Sequence, residues 1–374
     1  MSSSCTVGGN GMVASSQKLA SEVGVALLKA GGSAVDAAIG VNAMLNLIEP
    51  FMCGLGGDLF AQVWDPQQRQ LFGLNASGRA PAGQSLAALQ QRLGPVEAIP
   101  GVGPDSITVP AAVAGWAALH ERFGRLSLAE IFAPVIEHAE CGVSIGVQTA
   151  VWWHHCLALT SNELLSGAAG DGLLELYFPD GAAPQAGARF YNPHLGNSYR
   201  RLAENGFDDF YRGELAADLI NYMSAHDVQI SARDLANCTA QWVEPITTNY
   251  RGYDIYELPP NGQGLCVLQM LDLLEQFPLA DYGPGSVDYW HVFLESKKLA
   301  FEDRAKFYAD PEFATVPVSA LMDKAYARQR RQLITERASS SPVHGDAGLS
   351  QGDTTYLTVA DSDGTMISLI QSIF

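Results

Sequence analysis

The chain of 374 residues carries 22 Lys+Arg against 40 Asp+Glu, a formal charge of −18, and no basic run rises out of that field. This argues against nucleic acid and anionic membrane surfaces as partners, since both need a cationic patch. At 47% hydrophobic and 17% charged, against about 25% charged in an average domain, the chain can fill one large layered domain or two ordinary ones.

No stretch of about 18 apolar residues occurs, so no transmembrane helix is expected. The opening Met1-Ser2-Ser3-Ser4-Cys5-Thr6-Val7-Gly8-Gly9-Asn10 lacks the basic and apolar regions of a secretory signal, and the expected address is the cytoplasm. Ser15-Ser16 reads as the cap of a first helix with Leu19, Val23, Ala26 and Leu27 on one face, stopped by Gly31-Gly32. Ser33 caps a second helix to about Ile48, apolar nearly all round and therefore buried on several sides. After Gly54-Leu55-Gly56-Gly57-Asp58, the runs Leu59 to Trp64 and Gln70 to Leu74 read as a hairpin.

From about 106 to 330 the pattern is mostly helical, with helices around Ala111–Arg122, Leu128–Glu140, Leu195–Asn205, Gly213–Ser224, Leu265–Gln276 and Val287–Ala309. A second hairpin, Thr247 to Tyr250 and Tyr253 to Leu258, interrupts them. Residues 338 to 353 have loop composition. Beyond them Thr354 to Ala360 and Met366 to Phe374 form a third hairpin about Asp361-Ser362-Asp363-Gly364. Its last strand has no further element to cover its edge, so a fragment of a longer protein is expected.

Several motifs carry less than they promise. Gly142-Val143-Ser144-Ile145-Gly146 matches the GxSxG elbow of serine hydrolases, but a helix precedes it where that elbow needs a strand. His154-His155-Cys156 has no second ligand pair at matching spacing, so no metal is expected. Six cysteines without CxxC spacing read as free, mostly buried thiols. The sequons at Asn75 and Asn237 would matter only after secretion.

Thr354-Thr355 opens a strand directly after the loop, which suits an autoprocessed amino-terminal nucleophile: the scissile peptide is exposed and the new terminus rigid. On this point the sequence resembles the γ-glutamyltranspeptidase family. The resemblance runs through Gly11-Met12-Val13-Ala14, Ala30 to Ala38, Glu49-Pro50, Gly54 to Phe60 and Val109 to Gly115. It continues through Asn205 to Tyr211, Tyr250-Arg251-Gly252-Tyr253, Pro259 to Gly264, Ala300 to Arg304 and Gly352-Asp353-Thr354-Thr355-Tyr356.

The resemblance implies an α+β Ntn-hydrolase fold, a four-layer αββα sandwich that is incomplete in this chain. The precursor would cut itself between Asp353 and Thr354 into a large-subunit region, 1–353, and a small-subunit region beginning with 354–374, which pair as a heterodimer. Thr354 matches the nucleophile and Ser372 the second hydroxyl that supports it. The implied reaction takes an acyl group from a small γ-glutamyl amide such as glutathione and passes it to water or an amine, with no metal or organic cofactor.

The family's donor-carboxylate arginine would fall on Ser77, and the nearby arginine is Arg79; these two are the candidate substrate-binding residues. The family's amino-group-contacting Asn falls on Phe374, and its oxyanion-hole serines and glycines lie beyond that position. The sequence looks nearest to a divergent, leader-less, cephalosporin-acylase-like branch. A glutaryl-type amide acylase and a non-catalytic remnant are the alternatives.

Overall fold

The computed structural model describes residues 6–95, 98–101, 103–160, 168–178, 181–340 and 354–373. Its strands are β1 (Met12–Ala14), β2 (Asp58–Asp65), β3 (Gln70–Ala76), β4 (Val143–Ser144), β5 (Arg189–Phe190), β6 (Gln241–Val243), β7 (Ile246–Tyr250), β8 (Tyr253–Glu257), β9 (Thr354–Ala360) and β10 (Met366–Ser372). Two compact units result, Met1–Gln241 with Ser350–Phe374, and Trp242–Leu349. The expected boundary at 353/354 is a covalent one; β9 belongs to the first unit's sheet.

That sheet runs β1-β9-β10-β2-β3, antiparallel at every step. Side chains alternate between its faces. The inner row, Leu357, Val359, Ile367, Leu369, Leu59, Val63 and Leu74, is buried. It joins one core with the helix Ala34–Ile48, every residue of which is buried. The helix starts where the sequence places it: the Ser33 hydroxyl accepts from the Asp36 N–H and the Asp36 carboxylate from the Ser33 N–H, a reciprocal capping box. Asp361, in the turn joining β9 to β10, accepts from the Ala34 N–H and ties the hairpin to the helix start.

Three expectations are corrected. The first helix, Lys18–Lys29, is preceded by Gln17 with no side-chain cap, because Ser16 is spent on the Glu49 carboxylate and Ser15 on the Gln17 carbonyl and Ser21. Of the five described cysteines only Cys53 and Cys266 are buried, while Cys141 is exposed. The final strand is not an edge: β10 lies between β9 and β2, and what it presents to solvent is its outer face, with Met366 and Ile370. The helices Val147–Thr160 and Lys324–Arg331 escaped the sequence reading. No helix among the described residues is long and apolar enough to cross a membrane.

The second unit packs β7 and β8 with the helices Gly264–Leu274, Val287–Phe307 and Lys324–Arg331. Its buried ions are paired: Lys324 bridges Asp272 at 2.7 Å, and Asp303 accepts from Tyr326 (2.9 Å) and Gln269 (2.8 Å). Unpaired, such charges would cost several kcal/mol.

Candidate active site

Strand register assembles the site. Thr354, the first residue of β9, stands opposite Ser372 on β10, and Ser372 stands opposite Asp58, the first residue of β2. Directly opposed residues of antiparallel strands point to the same face. At strand spacings of about 4.8 Å, Asp58 lies two steps, about 10 Å, from Thr354 across the outer face. The Leu59–Ala76 pairing, continued by one residue, sets Ser77 at the end of this row.

The Thr354 hydroxyl is exposed and donates to the Ser372 hydroxyl at 3.2 Å. Its neighbour Thr355 turns inward, buried, and bonds the Gln371 carbonyl. Of the adjoining threonines, the alternation thus leaves Thr354 to solvent and gives Thr355 to the core. Beneath them burial pushes the Cys53 thiol far up, which makes it inert rather than a rival nucleophile.

The strand end carrying Ser372 is held from three sides. Gly57 packs so closely that a Cβ there would sit 1.9 Å from the Ser372 carbonyl oxygen. The Gly57 carbonyl in turn accepts from the Ala111 and Ala112 N–H groups. Gln371 is fixed by a buried relay: Trp116 Nε1 donates to Asn42 Oδ1, Asn42 Nδ2 to Gln371 Oε1 (2.8 Å), and Gln371 Nε2 to the Gly54 carbonyl (3.1 Å). On the third side Asp58 is its register partner on β2; burial lifts the Asp58 pKa to about 6, although the nearby backbone of Ser372 and of Asp58 itself favours the charged form.

Sequence reasoning named Thr354 and Ser372 as candidates, and the register sets them opposite each other; Asp58, their neighbour in the row, it read as part of a glycine-rich turn. The available signal was a carboxylate immediately after two glycines and opening a strand. Asp353 lies outside the described residues. Ser77 sits just past β3 with its N–H on Asn75 Oδ1. Gly78 adopts φ +74° with Val109 O only 2.2 Å from where a Cβ would be, and the Arg79 carbonyl accepts the Val109 N–H. This loop is pinned, and Arg79 is exposed, its charge acting on the Cys238 thiol.

The rejected motifs resolve as loops and helices. Ser144 lies on the two-residue β4, directly after the helix Leu128–Cys141, and pairs with Arg189. His154 rides the helix Val147–Thr160 and meets Gln185. Among the described residues no group of three His, Cys, Asp or Glu side chains could hold a metal ion.

Comparison with known proteins agrees with this geometry. A family model described as Gamma-glutamyltranspeptidase matches residues 20–374. The chain is 34% identical over 370 residues to the glutathione hydrolase-like YwrD proenzyme of Bacillus subtilis (strain 168), covering 98% of this chain and 67% of that protein. It is 37% identical over 374 residues to the acylase ACY 1 proenzyme of Pseudomonas sp. (strain SE83), covering 98% and 66%. It thus spans about two thirds of the length of these relatives. Among solved structures, the cephalosporin acylase from Bacillus halodurans superposes with a TM-score of 0.87 at 36% identity, covering 100% of this chain and 68% of that one. The Helicobacter pylori γ-glutamyltranspeptidase gives 0.82 at 26% identity, covering 93% and 99%. The architecture is accordingly that of the Ntn hydrolases. By the extent of the match and the sharing of its fold, the chain belongs to the γ-glutamyltranspeptidase family.

Proposed function

We propose that the protein is an autoprocessing amidohydrolase and acyltransferase in which Thr354 acts twice. In the precursor its hydroxyl attacks the Asp353 carbonyl. The acyl group shifts from nitrogen to oxygen, and water cleaves the ester to leave Thr354 with a free α-amine. An α-amine has a reference pKa of about 7.7–8.0 and serves as a base near neutral pH. In the mature protein it takes the proton of the Thr354 hydroxyl, which attacks an amide donor; the acyl-enzyme then passes to water or an amine.

The observation that carries the reading is the Thr354–Ser372 hydroxyl contact of 3.2 Å at a rigid strand start. Ser372 orients the nucleophile in this scheme. The leading donors are γ-glutamyl amides such as glutathione, in line with the relatives named glutathione hydrolase. A glutaryl-type amide acylase is the second reading. It is favoured by the acylase relatives and by Ser77, which offers one neutral donor where an arginine would make two charge-assisted bonds to a carboxylate.

Amino-terminal sequencing and intact mass test the scheme. Wild type yields a product beginning at Thr354, Thr354→Ala stays whole, and Thr354→Ser processes because a primary hydroxyl does the same chemistry. Cleavage elsewhere, or a Thr354→Ala protein that matures, rejects it. Comparing γ-glutamyl and glutaryl anilides on wild type and Arg79→Ala separates the two donor readings. A selective rise in KM for the γ-glutamyl donor assigns Arg79 to its α-carboxylate, and an outright preference for glutaryl favours the acylase.

A further inference from the structure

Ser372 is the last residue of β10, where strands fray, yet a hydroxyl that aligns a nucleophile must stay within about 0.5 Å of its place. The neighbouring register pair, Thr355 and Gln371, faces the core; both are buried, and the Thr355 hydroxyl bonds the Gln371 carbonyl. The Gln371 amide belongs to a relay whose ends fix its direction, because an indole N–H can only donate and a backbone carbonyl can only accept. Trp116 Nε1 donates to Asn42 Oδ1 at 2.9 Å, Asn42 Nδ2 to Gln371 Oε1 at 2.8 Å, and Gln371 Nε2 to the Gly54 carbonyl at 3.1 Å. Neither amide can turn over without breaking two bonds. The same Gly54 carbonyl accepts the Gly57 N–H at 3.1 Å, closing the turn that packs on the Ser372 carbonyl. Amides are a poor choice here on stability alone. Asn42 lies in a helix of which every residue is buried, Asn is a weak helix former, and apolar groups of the same shape would serve the core about as well. What a fully bonded relay adds is a unique geometry. Consecutive Cα atoms stand about 3.8 Å apart, so Gln371 passes that geometry to Ser372.

We propose that Gln371, held by Asn42, is a positioning residue of the Thr354 site: the buried amide relay fixes the backbone at 371 so that the Ser372 hydroxyl meets the Thr354 hydroxyl. This rests on the reading of Thr354 given above. Both amides face the core and act through Ser372.

The test is a set of double-mutant cycles in the mature enzyme made from its complete coding sequence, with γ-glutamyl-p-nitroanilide as donor, assayed well below every melting temperature. Gln371→Met keeps the side-chain volume and removes the amide; it should lower kcat about tenfold with KM within about twofold, as expected for a displaced aligning group. Asn42→Leu cuts the same relay and should reproduce that split, and the two together should be no slower than either alone. In a Ser372→Ala background, Gln371→Met should cost less than about twofold more, because its route to Thr354 is already cut. Ile131→Val, a buried change in the same core, is the control for a merely structural loss: it should melt lower than wild type with kcat unchanged. An unchanged kcat in Gln371→Met or in Asn42→Leu, effects that multiply in either double variant, or a kcat that falls equally in Ile131→Val would overturn the proposal. If Gln371→Met fails to fold, Asn42→Leu and its cycle with Ser372→Ala decide alone; if neither folds, the relay is structural and the proposal fails. Thr354→Ala keeps the two claims apart: turnover surviving it defeats the nucleophile assignment, whereas its silence beside an unaffected Gln371→Met defeats only the role given to Gln371.

Discussion

Two hydroxyls of this chain sit in settings that invite a catalytic reading, and the difference between them is instructive. Ser144 has the motif: two glycines at GxSxG spacing. It also has a two-residue strand, an exposed position and a helix where the elbow would need a strand. Thr354 has no serine-hydrolase spacing around it, yet it opens a seven-residue strand within the main sheet and meets a hydroxyl across the ladder. A side chain gains chemistry from what the tertiary register places beside it, and short spacing patterns do not encode that. The comparison can be broken at Gly57, at Asp58 and at Gly142.

The largest effect outside Thr354 itself is expected at Gly57. A Cβ there would stand 1.9 Å from the Ser372 carbonyl oxygen, a backbone atom that cannot swing aside, whereas a Cβ on Gly56 meets nothing within 4 Å. Gly57→Ala should therefore destabilise the first unit by about 2–3 kcal/mol and block processing, while Gly56→Ala leaves both nearly unchanged. Urea melts and intact mass of the two variants measure this. Equal behaviour would show that the strand end tolerates displacement and that the row of side chains is not held as tightly as the contacts indicate.

How far the site could be read without coordinates follows from the same residues. The helix Ala34–Ile48 was legible because its cap, Ser33 with Asp36, is local and its apolar content is continuous. The hairpin β9–β10 was legible from its β-branched run and turn, and Thr354 from its place after a loop. What could not be read is pairing between distant segments. Gln371 and Gly54 bond 317 residues apart, and no pattern in either segment announces the other. Asn42, in the middle of an apolar helix, becomes intelligible only when it is seen to bridge Trp116 and Gln371. The missed cap at Ser15-Ser16 has the same cause, since the hydroxyl of Ser16 was claimed by a carboxylate 33 residues away.

A smaller effect, and one with a definite sign, concerns pH. The Asp58 carboxyl has its pKa raised from 3.8 to about 6 in the folded protein. Between these values the folded state binds more protons than the unfolded state, so this residue's contribution to stability falls as pH rises from about 4 to 6 and stays lost above. At pH 7 the cost is on the order of 2–3 kcal/mol. Asp58→Asn should abolish that slope and melt higher than wild type at pH 7, with the two curves converging near pH 4. Parallel curves across the range would mean that Asp58 ionises without penalty in the folded protein.

The smallest effects return to the comparison of the two hydroxyls. If Gly142-Val143-Ser144-Ile145-Gly146 were an elbow, its serine would matter and its glycines would serve to expose it. The first glycine has a different role in the structure, where Gly142 follows the helix Leu128–Cys141 with φ +82° and a Cβ there would come within 2.6 Å of the Tyr191 ring. A positive-φ, extended backbone (φ +82°, ψ 149°) that only glycine adopts readily, backed by an aromatic ring, is a reason for glycine that involves no catalysis. Gly142→Ala should accordingly cost about 1–2 kcal/mol of stability with the kcat of the surviving folded protein unchanged. Ser144→Ala, at an exposed position, should stay within about 0.5 kcal/mol of wild type and leave processing and turnover alone. A Ser144→Ala protein that melts normally but loses its amidase activity would reverse the assignment, because a hydroxyl outside the sheet would then be doing the chemistry and the Thr354–Ser372 contact would be an ordinary cross-strand pair.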